Sequence, residues 1–131
     1  MSQENVEIMK AAIAAWNAGD MVATREMYHP DVIMRNPEGW PEPGPVAGRD
    51  AVMRQIEQLR ETWDTDSLMP ISDFIDAADR VVVRFVWRGK GQGPEYNMEF
   101  TGVYTVRKGK IVGLEFFSDH AEALETLGLS E

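Results

Sequence analysis

Two histidines, each close to an aspartate, carry the first hint of proton chemistry: His29-Pro30-Asp31 and Asp119-His120. An imidazole titrates near neutral pH, and a carboxylate beside it can orient the ring and support the charged form. Such a pair works only if both groups face one cavity, and nothing in the chain spacing brings either pair to one. The local context gives each a plainer duty. His29-Pro30-Asp31 falls where a helix gives way to a strand, a place for turn and cap bonds. Asp119 stands three residues before Glu122, the spacing of a capping box, which leaves His120 in the first turn of a terminal helix. His29 and His120 are therefore the weak catalytic candidates, and the catalytic set is otherwise unknown. No spacing of His, Asp and Glu offers the three or four converging ligands a metal needs, so neither metal nor cofactor is expected. With no cysteine in 131 residues, disulfides, thiolate ligands and cysteine nucleophiles are all excluded.

Neutral polar groups embedded in apolar patterns suggest a binding chemistry instead. Asn36, Gln55, Tyr104 and Tyr28 are the neutral polar points on element faces that are otherwise apolar. A cavity built that way suits an uncharged, hydrophobic molecule held by a few hydrogen bonds.

The elements that must hold these residues follow from periodicity. Val6, Met9, Ile13 and Trp16 recur at spacings of three and four, the apolar face of a first helix. Asn17-Ala18-Gly19-Asp20 ends it, with Asp20 placed to cap a short second helix over Met21–Tyr28 that Pro30 stops. Val32–Asn36 reads as a strand. Residues 37–48 hold four prolines and three glycines, a stiff loop without regular structure. Val52, Ile56, Leu59 and Trp63 step around a third helix over Asp50–Trp63. Strict alternation then marks a strand with Val81, Val83, Phe85 and Trp87 on one face, a second over Tyr96–Arg107 and a third over Ile111–Ser118. Gly89-Lys90-Gly91-Gln92-Gly93-Pro94 looks like a phosphate loop, but a phosphate loop opens a helix, and here a strand follows; it reads as a hairpin connection. Ala121–Leu127 is a terminal helix closed by Gly128.

This order predicts one α+β domain over residues 1–131: a cone-shaped, curved, antiparallel-rich sheet packed on N-terminal helices and enclosing a pocket. Alternation assigns its faces. Met34 and Asn36 point inward from the first strand, Met98, Phe100, Gly102 and Tyr104 from the long one, and Leu114, Phe116 and Ser118 from the last. Trp16 reaches the same space from the first helix and Gln55 from the third. Trp40, a tryptophan in a polar loop, should pack as a lid or a subunit contact. The convex face would carry Val82, Arg84, Val86, Glu99, Thr101 and Val103.

Composition removes other classes. A formal net charge of −9, with the basic residues dispersed, argues against nucleic-acid binding. No apolar run approaches a membrane span, and the polar start shows no signal peptide, so a cytoplasmic location is expected.

Four short motifs then occur in order: Ala14-Ala15-Trp16-Asn17-Ala18-Gly19-Asp20, Tyr28-His29-Pro30-Asp31, Asn36-Pro37-Glu38-Gly39 and Gly48-Arg49-Asp50-Ala51. With the tail Phe116–Leu124 they resemble the nuclear-transport-factor-2-like superfamily, and within it the SnoaL-like proteins and ketosteroid isomerases, over nearly the whole chain. The resemblance implies a cone-shaped α+β barrel, often dimeric through the convex sheet face, with a deep apolar pocket. It implies an isomerase, cyclase or hydrolase-type enzyme acting on a lipophilic or polyketide-like compound. The alternatives are a non-catalytic binder of a hydrophobic ligand and a dimeric association module. The isomerase residues do not carry over. Asn36 stands where the general base would be, Ala12 where the oxyanion tyrosine would be, and Gly102 where the protonated aspartate would be. A carboxamide cannot take a proton at neutral pH, so that mechanism is not expected. The epoxide-hydrolase set is not matched either, since its positions fall near Phe116, Val86 and Arg88. Expected ligand contacts are Trp16, Met34, Asn36, Trp40, Gln55, Met98, Phe100, Gly102, Tyr104 and Phe116.

Overall fold

In the computed structural model the described residues are 2–36, 44–61 and 63–128. Helix α1 runs Ser2–Asn17, α2 Met21–Met27 and α3 Arg49–Glu61. Gly19, at φ 72°, makes the left-handed turn after α1, and the Asp20 carboxylate accepts from the Ala23 amide to cap α2. The strands are β1 Tyr28–Arg35, β2 Val46–Ala47, β3 Thr65–Pro70, β4 Ile75–Ala77, β5 Arg80–Lys90, β6 Tyr96–Arg107 and β7 Lys110–Phe117. Helix α4, His120–Thr126, closes the order.

All seven strands form one curved, open sheet in the order β2-β1-β7-β6-β5-β3, with β4 paired to the remaining length of β5's edge. The expected β5–β6 hairpin and β6–β7 turn are present, the latter made by Lys108 and Gly109 at positive φ. Four features depart from the sequence expectation. Tyr28 opens β1 instead of ending α2, because the chain is extended from that residue on. The chain at Val46–Ala47 pairs with β1, within a stretch expected to be loop. The β3 and β4 segments carry no apolar alternation and take their strand form from the β5 edge they pair with. Finally, β1 lies parallel to β7, so the sheet is antiparallel-rich with one parallel join.

The pleat sorts the side chains into two clusters. Inward, Val81, Val83, Phe85 and Trp87 of β5, Phe100 and Tyr104 of β6 and Leu114 of β7 meet Met9, Ile13 and Trp16 of α1 and Val52, Met53 and Ile56 of α3. Outward, Val82, Val103 and Phe117 are covered by Ala123 and Leu124 of α4. This second cluster corrects the expected convex surface. Val82, Thr101 and Val103 are buried within the chain, and Arg84, Val86 and Glu99 stay at least partly open.

A Cβ at Gly102 would stand 2.7 Å from the Tyr104 ring and 3.0 Å from the Phe85 ring. The glycine therefore lets both rings lie against the β6 backbone, where Phe85 and Tyr104 meet edge to face.

Candidate functional site

Between α1, α3 and the inner face of the sheet lies a cavity of about 460 Å³, within the range of small-molecule sites. Met9, Ala12, Ile13 and Trp16 wall it from α1, and Gln55, Ile56, Gln58 and Leu59 from α3. Thr24 and Tyr28 follow from the α2–β1 join. Met34, Asn36, Leu68, Trp87, Met98, Phe100, Tyr104, Ile111, Leu114 and Phe116 complete the wall.

Eight of the ten residues expected to face a ligand line this cavity: Trp16, Met34, Asn36, Gln55, Met98, Phe100, Tyr104 and Phe116. Gly102 points the same way but lies beneath the rings of Tyr104 and Phe85. Trp40 falls outside the described residues. Ser118, expected to point inward, lies past the end of β7 and is exposed.

The two histidines are not at the cavity. His29 is partly exposed at the start of β1, where its Nδ1 accepts from the Asp31 amide at 3.0 Å. The Asp31 carboxylate lies 4.0 Å from the same nitrogen. The Nδ1 of His120 lies 3.0 Å from the Thr101 hydroxyl on the outer side of the sheet. The whole sheet thickness separates it from the inner wall. Asp119 caps α4 by accepting from the Ala121 amide, as a turn residue would.

One acidic residue that pattern reading passed over stands behind the wall. Asp66 sits on β3 with its side chain 3% exposed. Its Oδ2 accepts from the indole N–H of Trp16 and from that of Trp87, both at 2.9 Å. Its Oδ1 is 3.0 Å from the Arg60 guanidinium, which also lies 4.9 Å over the Trp16 ring. Next to it, Asn17 donates to the Leu68 carbonyl and accepts from the Leu68 amide, holding the end of α1 on β3 like an added strand residue. The Trp16-Asn17 pair thus clamps helix to sheet. A signal existed: two buried indoles need acceptors. The sequence offers 22 acidic residues and does not say which one answers.

The remaining polar points are neutral. The Asn36 amide donates to Gln55 Oε1 at 2.7 Å, joining β1 to α3. The Thr24 hydroxyl is spent on the Asp20 carbonyl. Burial pushes the Tyr28 and Tyr104 phenols well above their ordinary range, and in Tyr104 the nearby Tyr28 adds to it. Both therefore stay protonated at physiological pH and keep a hydroxyl proton to donate. Among the described residues, no cluster of His, Asp and Glu could hold a metal ion, and no helix is long and apolar enough to cross a membrane.

Residues 9–114 match the family of SnoaL-like domains. No curated protein sequence matches the chain. Solved structures resemble it over nearly its full length. A structure of TerC co-crystallised with polyporic acid is 25% identical, covering 95% of this chain and 98% of its own, with a TM-score of 0.77. A cystatin-like-fold protein of unknown function from Xanthomonas campestris is 21% identical, covering 96% and 98%, with a TM-score of 0.78. A ketosteroid-isomerase-like-fold protein from Catenulispora acidiphila, in complex with trimethylamine, is 17% identical, covering 95% and 94%, with a TM-score of 0.73.

Proposed function

Because this chain belongs to the SnoaL-like domain family, we propose that it is a binding protein whose cavity takes an uncharged, largely apolar small molecule. One observation carries the reading. Every polar side chain among the described lining residues is neutral: two phenols, one hydroxyl and three carboxamides. A charged ligand would give up its hydration there and meet no opposite charge in the wall. Aromatic and methionine side chains supply the rest of the surface, which favours a flat, unsaturated ligand and adapts to its outline. Trp16, Met34, Asn36, Gln55, Met98, Phe100, Tyr104 and Phe116 are the proposed contacts. The small ligands named for TerC and for the Catenulispora protein support small-molecule binding.

The alternative is an isomerase, cyclase or hydrolase-type enzyme on a lipophilic substrate. Acid–base chemistry of that kind needs a group that exchanges a proton near neutral pH at the reacting atoms. The phenols are shifted away from that range, and the Asp66 carboxylate is occupied by two indoles and a guanidinium. Binding is therefore the better-supported use of the cavity.

The same reading gives the chain a second copy as its partner across the outer sheet face. Exposed Met69 stands beside Val86 there, between the Arg84–Glu99 and Arg88–Glu95 ion pairs. Light scattering on the purified protein tests that part.

The test of the ligand reading is thermal unfolding with a panel of uncharged polycyclic compounds, run on the wild type and on Ala12→Trp. A binder at 100 times its Kd stabilises the wild type by about 2.7 kcal/mol. Filling the cavity from α1 should remove that gain and leave the fold intact. A panel that shifts neither protein, or both equally, would count against the cavity as the site.

A further inference from the structure

Two indoles of the cavity wall are turned by one oxygen atom. Trp16 comes from α1 and Trp87 from β5, yet the indole N–H of each donates to Asp66 Oδ2 at 2.9 Å. Both rings line the cavity, and Asp66 stands behind them. Each N–H therefore points away from the cavity, and the indoles show it carbon. Both rings are also held from behind. Arg60 stays off the lining, lies over the Trp16 ring, bonds Asp66 Oδ1 and donates to the Trp16 carbonyl at 3.3 Å. Trp63 and Tyr96 meet the Trp87 ring edge to face at 5.5 and 5.8 Å, and neither lines the cavity. Strand register completes this end. Leu68 on β3 and Met98 on β6 are the partners of Trp87, so the three form one row across adjacent strands. All three line the cavity, and the row holds no polar side chain.

We propose that Asp66 is a positioning residue that sets the specificity of this end of the cavity: it draws both indole N–H groups out of the wall, so that the end takes an aromatic hydrocarbon ring and rejects a ring bearing a hydrogen-bond acceptor. The inference rests on the cavity reading above and assigns the ligand's apolar ring to Trp16, Leu68, Trp87 and Met98. An indole brings one N–H donor to a binding site, and here one carboxylate has taken both. An acceptor placed against this row gives up its water and meets no donor, which weakens binding. A hydrocarbon ring loses nothing there and packs on the indoles and the methionine. Without an acceptor at position 66 the two N–H groups would be buried and unpaired, and a ligand acceptor would be the group to answer them.

Two probes of one shape and two variants test this. Quinoline carries a ring nitrogen where naphthalene carries a C–H, and both are uncharged near neutral pH. Asp66→Leu/Arg60→Met and Asp66→Asn/Arg60→Met both remove the buried ion pair, a loss that folded chains tolerate when both charges go together. They differ in whether residue 66 can still accept from the indoles. Titration calorimetry on the intact protein gives the affinity for quinoline relative to naphthalene. That ratio should rise about fivefold over the wild type in the Leu variant and stay at the wild-type value in the Asn variant. Ultraviolet resonance Raman spectra of the ligand-free protein follow indole N–H hydrogen bonding. They should show strongly bonded indoles in the wild type and the Asn variant, and fewer in the Leu variant. The wild-type spectrum needs no variant to fold. An unchanged ratio in the Leu variant, an equal rise in both variants, or a wild type without strongly bonded indoles overturns the role of Asp66 and leaves the cavity standing. If neither probe binds the wild type, the cavity reading falls and the specificity falls with it.

Discussion

Two buried polar regions, one behind the cavity wall and one in it, stand on opposite terms. Asp66 is charged and its acceptor sites are used: two indole N–H groups and a guanidinium meet one carboxylate. Tyr28 and Tyr104 are neutral and their donors are unused by any described residue. A satisfied buried group sets geometry, because each bond it makes fixes another side chain. An unsatisfied one is a cost to the free protein that a ligand can relieve. The first region therefore builds the wall, and the second leaves two hydroxyls on it.

The largest test of this contrast is removal of the carboxylate. Asp66→Ala strands the Arg60 guanidinium and two indole N–H groups, and should cost about 3–5 kcal/mol in urea unfolding. A loss below about 1 kcal/mol would mean that the wall does not depend on Asp66. A smaller effect is expected at the support of the other region. Gly102→Ala puts a methyl against the Tyr104 and Phe85 rings and should cost about 2 kcal/mol.

The last test is by pH. The phenols titrate higher in the folded chain than in the unfolded one, whose tyrosines ionise near pH 10. Their contribution is thus fully present below about pH 10. Above it the unfolded state loses protons first, so stability falls as pH rises toward the folded value. The fall is about 1.4 kcal/mol per phenol one unit above pH 10. Urea midpoints at pH 8 and 11 should show it in the wild type and show less of it in the Tyr28→Phe/Tyr104→Phe variant. Equal falls in the two proteins would place the phenols in contact with solvent.

Much of the wall was legible in the sequence. Periodicity of three and four put Met9, Ile13 and Trp16 on one face of α1. Alternation put Phe85, Trp87, Phe100, Tyr104 and Phe116 on one face of the sheet. Both patterns are local, and each reports only that a face is apolar. The histidines misled for the same reason. Their residue type suggests chemistry, but whether they face the cavity depends on which side of a sheet they end, and His120 ends on the far one.

The sequence by itself determined the class of the fold, its helical faces and its alternating strands, because those depend on neighbours a few residues apart. Only the tertiary structure decided the partners. Trp16 finds Asp66 fifty positions away, on a strand whose own residues do not announce one. Tyr28 reaches the cavity from β1, whose parallel partner β7 lies eighty or more residues along the chain. α4 covers Val82, Val103 and Phe117 and turns part of an expected surface into core. Hydrogen bonds and buried contacts are made in space, and many segments of one chain offer the same donors and acceptors. Packing alone selects which of them meet.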